Sequence, residues 1–161
     1  MLVYFAAPLF SQAERCFNQS LTEKLESIGY QVFLPQRDGV EGNKPPYDQM
    51  TKEARRLAMF QLDTAKILES DVFLFVLDGR VPDEGACVEL GIAYTHKKLQ
   101  HCRKLLIGLH TDARAAFIGS RLNPMIYVPL EYIARTEGQL LQALEHYWNF
   151  QTLGDFAKQA E

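Results

Sequence analysis

A run of six apolar residues, Val72-Phe73-Leu74-Phe75-Val76-Leu77, narrows the folds open to this chain more than any other feature. It shows no polar alternation, so it suits a strand buried on both faces, as in a parallel sheet covered by helices. Asp78, Gly79, Pro82, Asp83 and Gly85 break the run, and from about Asp83 the spacing Ala86, Glu89, Leu90, Ala93 is helical. Open α/β sheets bind ligands outside the carboxyl ends of their strands. The loop carrying Asp78 and Asp83, with Glu89 one or two turns into the helix, therefore stands where chemistry is usually done. Carboxylates crowded at one strand end raise one another's pKa, a cost a fold tolerates mainly where a site uses it. The plainer alternative for Glu89 is a surface carboxylate on a helix.

The rest of the chain supplies neighbours for that strand. Leu2 to Ala6 reads as a first strand closed by Pro8, followed by a helix from about Ser11 to Ser27 with a capping-box pattern at Ser11 and Glu14 and a stop at Gly29. Val32 to Leu34 is a short second strand. Pro35 to Tyr47 is loop-rich, broken by Gly39, Gly42, Pro45 and Pro46. Either it is a solvated crossover or it is a binding loop, for which Gln36, Arg37 and Asp38 offer hydrogen-bonding groups suited to a polar heterocycle. Asp48 or Thr51 opens a helix to about Leu68, with Leu57, Phe60, Thr64, Ile67 and Leu68 expected on its core side.

Asp63 falls at the border of that apolar face and has two readings. It is an edge residue paired with Arg56 or Lys66, or a partly desolvated acid with a raised pKa that passes a proton to a substrate. Lys104 to Leu109 is another buried strand, His110 to Pro124 has no clear periodicity, and Ile126 to Val128 reads as a short last strand. Glu137 to Phe150 closes the chain as an amphipathic helix with Leu140, Leu141, Leu144 and Trp148, and the tail after Thr152 packs or frays. The alternation predicts one domain over residues 1–161, a small doubly wound α/β fold with a mainly parallel sheet of about five strands flanked by helices.

Composition removes several functions. A net charge of −3 with scattered Lys and Arg argues against a nucleic-acid or membrane binder. The start of the chain has neither the basic flank of a signal peptide nor the length of a membrane span. Three cysteines, Cys16, Cys87 and Cys102, fit neither a disulfide framework nor a zinc spacing, which suits a reducing cytoplasm. None of His96, His101, His110 and His146 has a second ligand at metal spacing, and all are expected in helix ends, turns or an exposed face. Nucleophile-elbow, Walker and dinucleotide motifs are lacking. Carboxylates, amides and aromatics remain, a set suited to an acetal-like carbon where an acid protonates a leaving group and a carboxylate meets an oxocarbenium-like centre.

Four pieces together carry a family resemblance: Val3-Tyr4-Phe5-Ala6-Ala7-Pro8-Leu9-Phe10, the loop Leu34 to Gly39, Asp63 eight residues before Asp71, and the block Pro82-Asp83-Glu84-Gly85-Ala86-Cys87-Val88-Glu89-Leu90-Gly91. Through nearly the whole chain up to Pro129 the sequence resembles the nucleoside 2-deoxyribosyltransferases. The resemblance implies a flavodoxin-like fold and transfer of a 2-deoxyribosyl group from a 2′-deoxynucleoside to a free nucleobase, without metal or cofactor. Glu89 matches the nucleophile that holds the sugar as a covalent ester, with retention from two displacements. A place early in a helix should favour its carboxylate form.

Tyr4 matches the residue that orients that carboxylate, and Asp63 the acid that protonates the departing base. Asp83 matches a residue that holds the 5′-hydroxyl. Asn123, with Met125 beside it, resembles an amide supplied to this hydroxyl by a neighbouring subunit, implying a homo-oligomer, a dimer or hexamer, with shared active sites. Phe10, Gln36, Asp38 and Asp78 complete the expected substrate-binding set. Ala6-Ala7 departs from a frequent glycine of the family. Two other functions stand beside this one: a 2′-deoxynucleoside 5′-monophosphate N-hydrolase, disfavoured because Asp83 replaces a serine and would repel a phosphate, and a non-catalytic nucleotide-sensing module.

Overall fold

A computed structural model describes residues 1–112, 114 and 122–156. Five strands form one parallel sheet: β1 (Leu2–Ala6), β2 (Gln31–Phe33), β3 (Val72–Val76), β4 (Leu105–Leu109) and β5 (Tyr132–Ala134), in the order β2-β1-β3-β4-β5. The helices are α1 (Gln12–Ser27), α2 (Pro35–Asp38), α3 (Lys52–Glu69), α4 (Glu84–Gln100), α5 (Pro124–Tyr127) and α6 (Glu137–Phe150). The expected run from Val72 is the central strand, buried along its whole length.

Strand alternation sorts the core into two layers. Val3, Phe5, Val72, Leu74 and Ile107 pack with Leu21 and Leu25 of α1 and Leu140 and Leu144 of α6. Tyr4, Ala6, Phe73, Phe75 and Leu106 face the other way, against Ile67 of α3 and Ala86, Leu90 and Ala93 of α4. Each helix starts where its cap permits. Ser11 and Glu14 form the reciprocal capping box of α1, and the side chains of Thr51 and Asp83 accept from Ala54 N and Ala86 N to open α3 and α4. The chain leaves α1 through Gly29 at φ +100°, a conformation that favours glycine.

Four expectations need correction. Ile126 to Val128 is not a strand: Asn123 accepts from Met125 N at 2.9 Å, Pro124 takes the first helical position, and this cap-and-proline start overrides the β preference of Ile, Tyr and Val. The last strand is instead Tyr132–Ala134, paired with β4. On α3 only Ile67 is buried; Leu57, Phe60 and Leu68 face solvent, because α3 packs against the sheet and α4 along a narrower face than its apolar perimeter. The loop after β2 holds the single-turn α2, begun by Pro35. Finally, His110 is buried at the end of β4, with its Nδ1 2.8 Å from Arg135 Nη1. The aperiodic stretch after His110 lies partly, and the end of the tail wholly, outside the described residues. Among the described residues no helix is long and apolar enough to cross a membrane.

Candidate active site

The site grows out of register. Tyr4 pairs with Phe33 of β2 on one side and Phe73 of β3 on the other. Its ring is stacked between both, with centroids 5.6 and 5.7 Å away. Such offset stacking fixes the ring, and with it the position of the hydroxyl facing the α3–α4 layer. That hydroxyl donates to Glu89 Oε1 at 2.8 Å. Glu89 comes from the second turn of α4, between the buried Ala86 and Leu90. Asp63 comes from the facing side of α3, near enough for its charge to act on both Tyr4 and Glu89. β1 and β3 are adjacent in the sheet but their connections run to opposite sides of it, so the group lies at the switch point where flavodoxin-like sheets bind ligands.

The electrostatics of this group are unusual for exposed carboxylates. Burial pushes the Glu89 pKa up to about 7; the Tyr4 hydrogen bond works against that, and Asp63 and Asp83 add to it. Desolvation is the leading influence on Glu89, which stands in the second turn of α4, past the first turn where the helix dipole acts most strongly. Burial alone raises Asp63 to about 6. Tyr4 is raised far above its usual value by burial first, then by the Glu89 and Asp63 charges, so its hydroxyl keeps its proton as a donor.

The other expected residues are placed differently. Asp83 caps α4 through Oδ1, 2.9 Å from Ala86 N, and its charge reaches Glu89. Asp78 points to the loop after β4, accepting from Thr111 N at 2.6 Å, Asp112 N at 2.9 Å and the Thr111 hydroxyl. Asp38 accepts from Leu34 N at 2.9 Å and from the fork of Arg37. The Gln36 amide accepts from Asn18 at 3.1 Å and donates to Arg15 O at 2.9 Å. Phe10 and Met125 are exposed, and Asn123 caps α5. Among the described residues none of Phe10, Gln36, Asp38, Asn123 and Met125 is hydrogen bonded to Tyr4, Asp63 or Glu89.

Asn18 escaped the sequence reading. It is buried in α1 and donates to Pro8 O at 2.9 Å as well as to Gln36, tying the loop after β1 to the loop after β2. Its signal was an amide at an apolar stripe position, spaced with Leu21, Thr22 and Leu25. Among the described residues no group of three or more His, Cys, Asp or Glu is arranged to hold a metal.

Sheet order and site position together define a flavodoxin-like α/β protein with a carboxylate pair at its switch point. The same fold is found in a conserved protein from Enterococcus faecalis V583 at 25% identity and TM-score 0.67, covering 88% of this chain and 94% of that one. A 2-deoxyribosyltransferase from Bacillus psychrosaccharolyticus is similar at 21% identity and TM-score 0.74, over 100% of both chains. A 2-desoxiribosyltransferase from Leishmania mexicana is similar at 16% identity and TM-score 0.61, over 94% of this chain and 99% of that one. The model of the nucleoside 2-deoxyribosyltransferase family matches residues 3–144, and the chain belongs to that family. No curated protein sequence matches it significantly.

Proposed function

We propose that this chain transfers a 2-deoxyribosyl group between nucleobases with retention, through a covalent ester on Glu89. The observation that carries the reading is the 2.8 Å bond from a buried, stacked Tyr4 to Glu89, with the Asp63 charge beside it. With one oxygen held by Tyr4, the other Glu89 oxygen would attack the anomeric carbon as the glycosidic C–N bond breaks. Asp63, raised to about 6, would give its proton to the departing base and take one from the incoming base when its nitrogen displaces Glu89. Two inversions at one carbon restore the configuration. The free oxygen of Asp83 would accept from the 5′-hydroxyl, and Asn123 and Met125 would serve the site of a neighbouring subunit in a homo-oligomer. A carboxylate at Asp83, which would repel a phosphate, argues against a 5′-phosphate on the substrate.

The test is base exchange. Purified protein is incubated with deoxyinosine or thymidine, with and without adenine, and products are separated by chromatography. Deoxyadenosine formed only when adenine is present is the expected result. Free base without a new nucleoside would point to a hydrolase, and no reaction with either donor would overturn the proposal. Glu89→Ala should abolish transfer, with an unchanged circular dichroism spectrum.

A further inference from the structure

Past the backbone bond from Leu77 N to Leu109 O, 2.8 Å long, β3 and β4 part into separate loops. One of them, residues 78–83, leads to the Asp83 cap of α4 and so to Glu89. The other begins at His110. Side chains continue the pairing where the ladder stops. Asp78 Oδ1 reaches across to accept from Thr111 N at 2.6 Å and Asp112 N at 2.9 Å, and Oδ2 accepts from the Thr111 hydroxyl. Asp112 returns the contact, its Oδ2 accepting from Gly79 N at 3.2 Å. Arg114 grips Asp112 in turn, with Nε 2.9 and 2.8 Å from the two carboxylate oxygens and its backbone N donating to Oδ1 at 2.9 Å.

Each loop thus gives a carboxylate to the other loop's amides, and the bonds close into a ring. It resembles a capping box spread over two strand ends. Gly79 turns the chain inside this ring at φ +126°, a conformation that favours glycine. Shifting either loop would strand donors and acceptors of both. Asp83 follows four residues after Gly79 and is itself fixed by the 2.9 Å bond from Ala86 N. The 78–83 loop is therefore tied at both ends.

We infer that Asp78 and Asp112 are positioning residues, a reciprocal clamp that sets the 78–83 loop and, through it, the Asp83 carboxylate at the sugar end of the site. Asp78 acts through the backbone and does not touch substrate. The link to the sugar rests on the reading that Asp83 accepts from the 5′-hydroxyl, whereas the clamp itself is read without substrate.

The test combines amide hydrogen exchange and kinetics on the full chain. Asp78→Asn keeps Oδ1 as acceptor for both amides, and its Nδ2 donates to a Thr111 hydroxyl turned round to accept. Asp78→Ala keeps none of these bonds. Thr111, Asp112 and Gly79 amides should exchange about tenfold or more faster in Asp78→Ala and stay protected in Asp78→Asn. In base transfer, Asp78→Ala should raise KM for deoxyinosine roughly tenfold, the worth of one hydrogen bond, with kcat moved far less. Asp78→Asn should restore KM. The KM rise should vanish with 2′,5′-dideoxyinosine, a donor without the 5′-hydroxyl. Unchanged protection in Asp78→Ala, or a loss in Asp78→Asn as large as in Asp78→Ala, would overturn the clamp, the second because it would show that Asp78 acts through its charge. Lost protection with a KM rise that persists for the dideoxy donor would overturn the link to Asp83. A wild type without transfer activity would overturn the proposed function, and amide protection alone would then decide the clamp.

Discussion

Glu89 sits between opposing demands. A nucleophile must be ionised, yet burial and the nearby Asp63 and Asp83 push its pKa to about 7, while the Tyr4 hydroxyl draws it down. Asp63 must be protonated to act on the leaving base, and its value of about 6 is lower. The productive form, Glu89 ionised and Asp63 protonated, is thus the minor arrangement of a proton shared by the pair. The proposed chemistry then predicts a bell-shaped kcat/KM profile peaking between about 6 and about 7. Tyr4→Phe should raise the Glu89 pKa, moving the alkaline limb to higher pH and lowering the maximum; a profile of unchanged shape would refute the role of Tyr4. Asp63→Asn should cost about 10²–10⁴-fold in transfer. Stability gives an independent reading. Because the folded-state pKa of Glu89 lies above the usual 4.5, its contribution is full below about 4.5 and is lost as pH rises through about 7. Glu89→Gln should therefore melt higher than wild type at pH 8, with the gap closing toward pH 4.5, as thermal denaturation across that range would show.

At the scale of elements, each part of the site depends on a rigid support. Tyr4 is held by strand register, Glu89 by a helix begun at Asp83, and Asp63 by α3, which is capped at its far end by the buried Lys104 bonding Ile67 O and the Ser70 carbonyl and hydroxyl. The loops after β1 and β2 are supported by α1 through Asn18, whose amide reaches Pro8 O and Gln36. Removing a buried hydrogen-bonding group costs about 1–3 kcal/mol. Asn18→Ala should lower the melting temperature and raise KM for nucleoside more than it lowers kcat, since it frees two loops without touching Glu89. Equal loss in both constants would place Asn18 closer to the chemistry. Element identity was largely readable because caps and strand runs are local. The miss at Ile126 to Val128 arose where the β preference of three residues met a stronger local signal, Asn123-Pro124, just ahead of them.

For the whole molecule, the parallel sheet brings residues from the chain's first strand, its third helix and its fourth helix to one switch point. If Asn123 and Met125 serve a neighbouring subunit's site as proposed, specific transfer activity should fall on dilution below the dissociation constant of the oligomer while light scattering reports monomer. Activity constant across that dilution would show that a single chain carries a complete site. The central buried strand, the alternation of strands and helices, the capping box at Ser11 and the carboxylates on which the proposed chemistry rests were legible in the chain alone. These follow from side-chain period, turn residues and local hydrogen bonds, all set within a few residues of chain. Which carboxylates come together depends on long-range packing. Asp78 went to the loop after β4 while Asp63 came to Glu89, and burial leads the upward shift of the Glu89 pKa. The same packing decided which face of α3 is core. Desolvation and packing depend on what arrives from distant parts of the chain, and no local pattern carries that information.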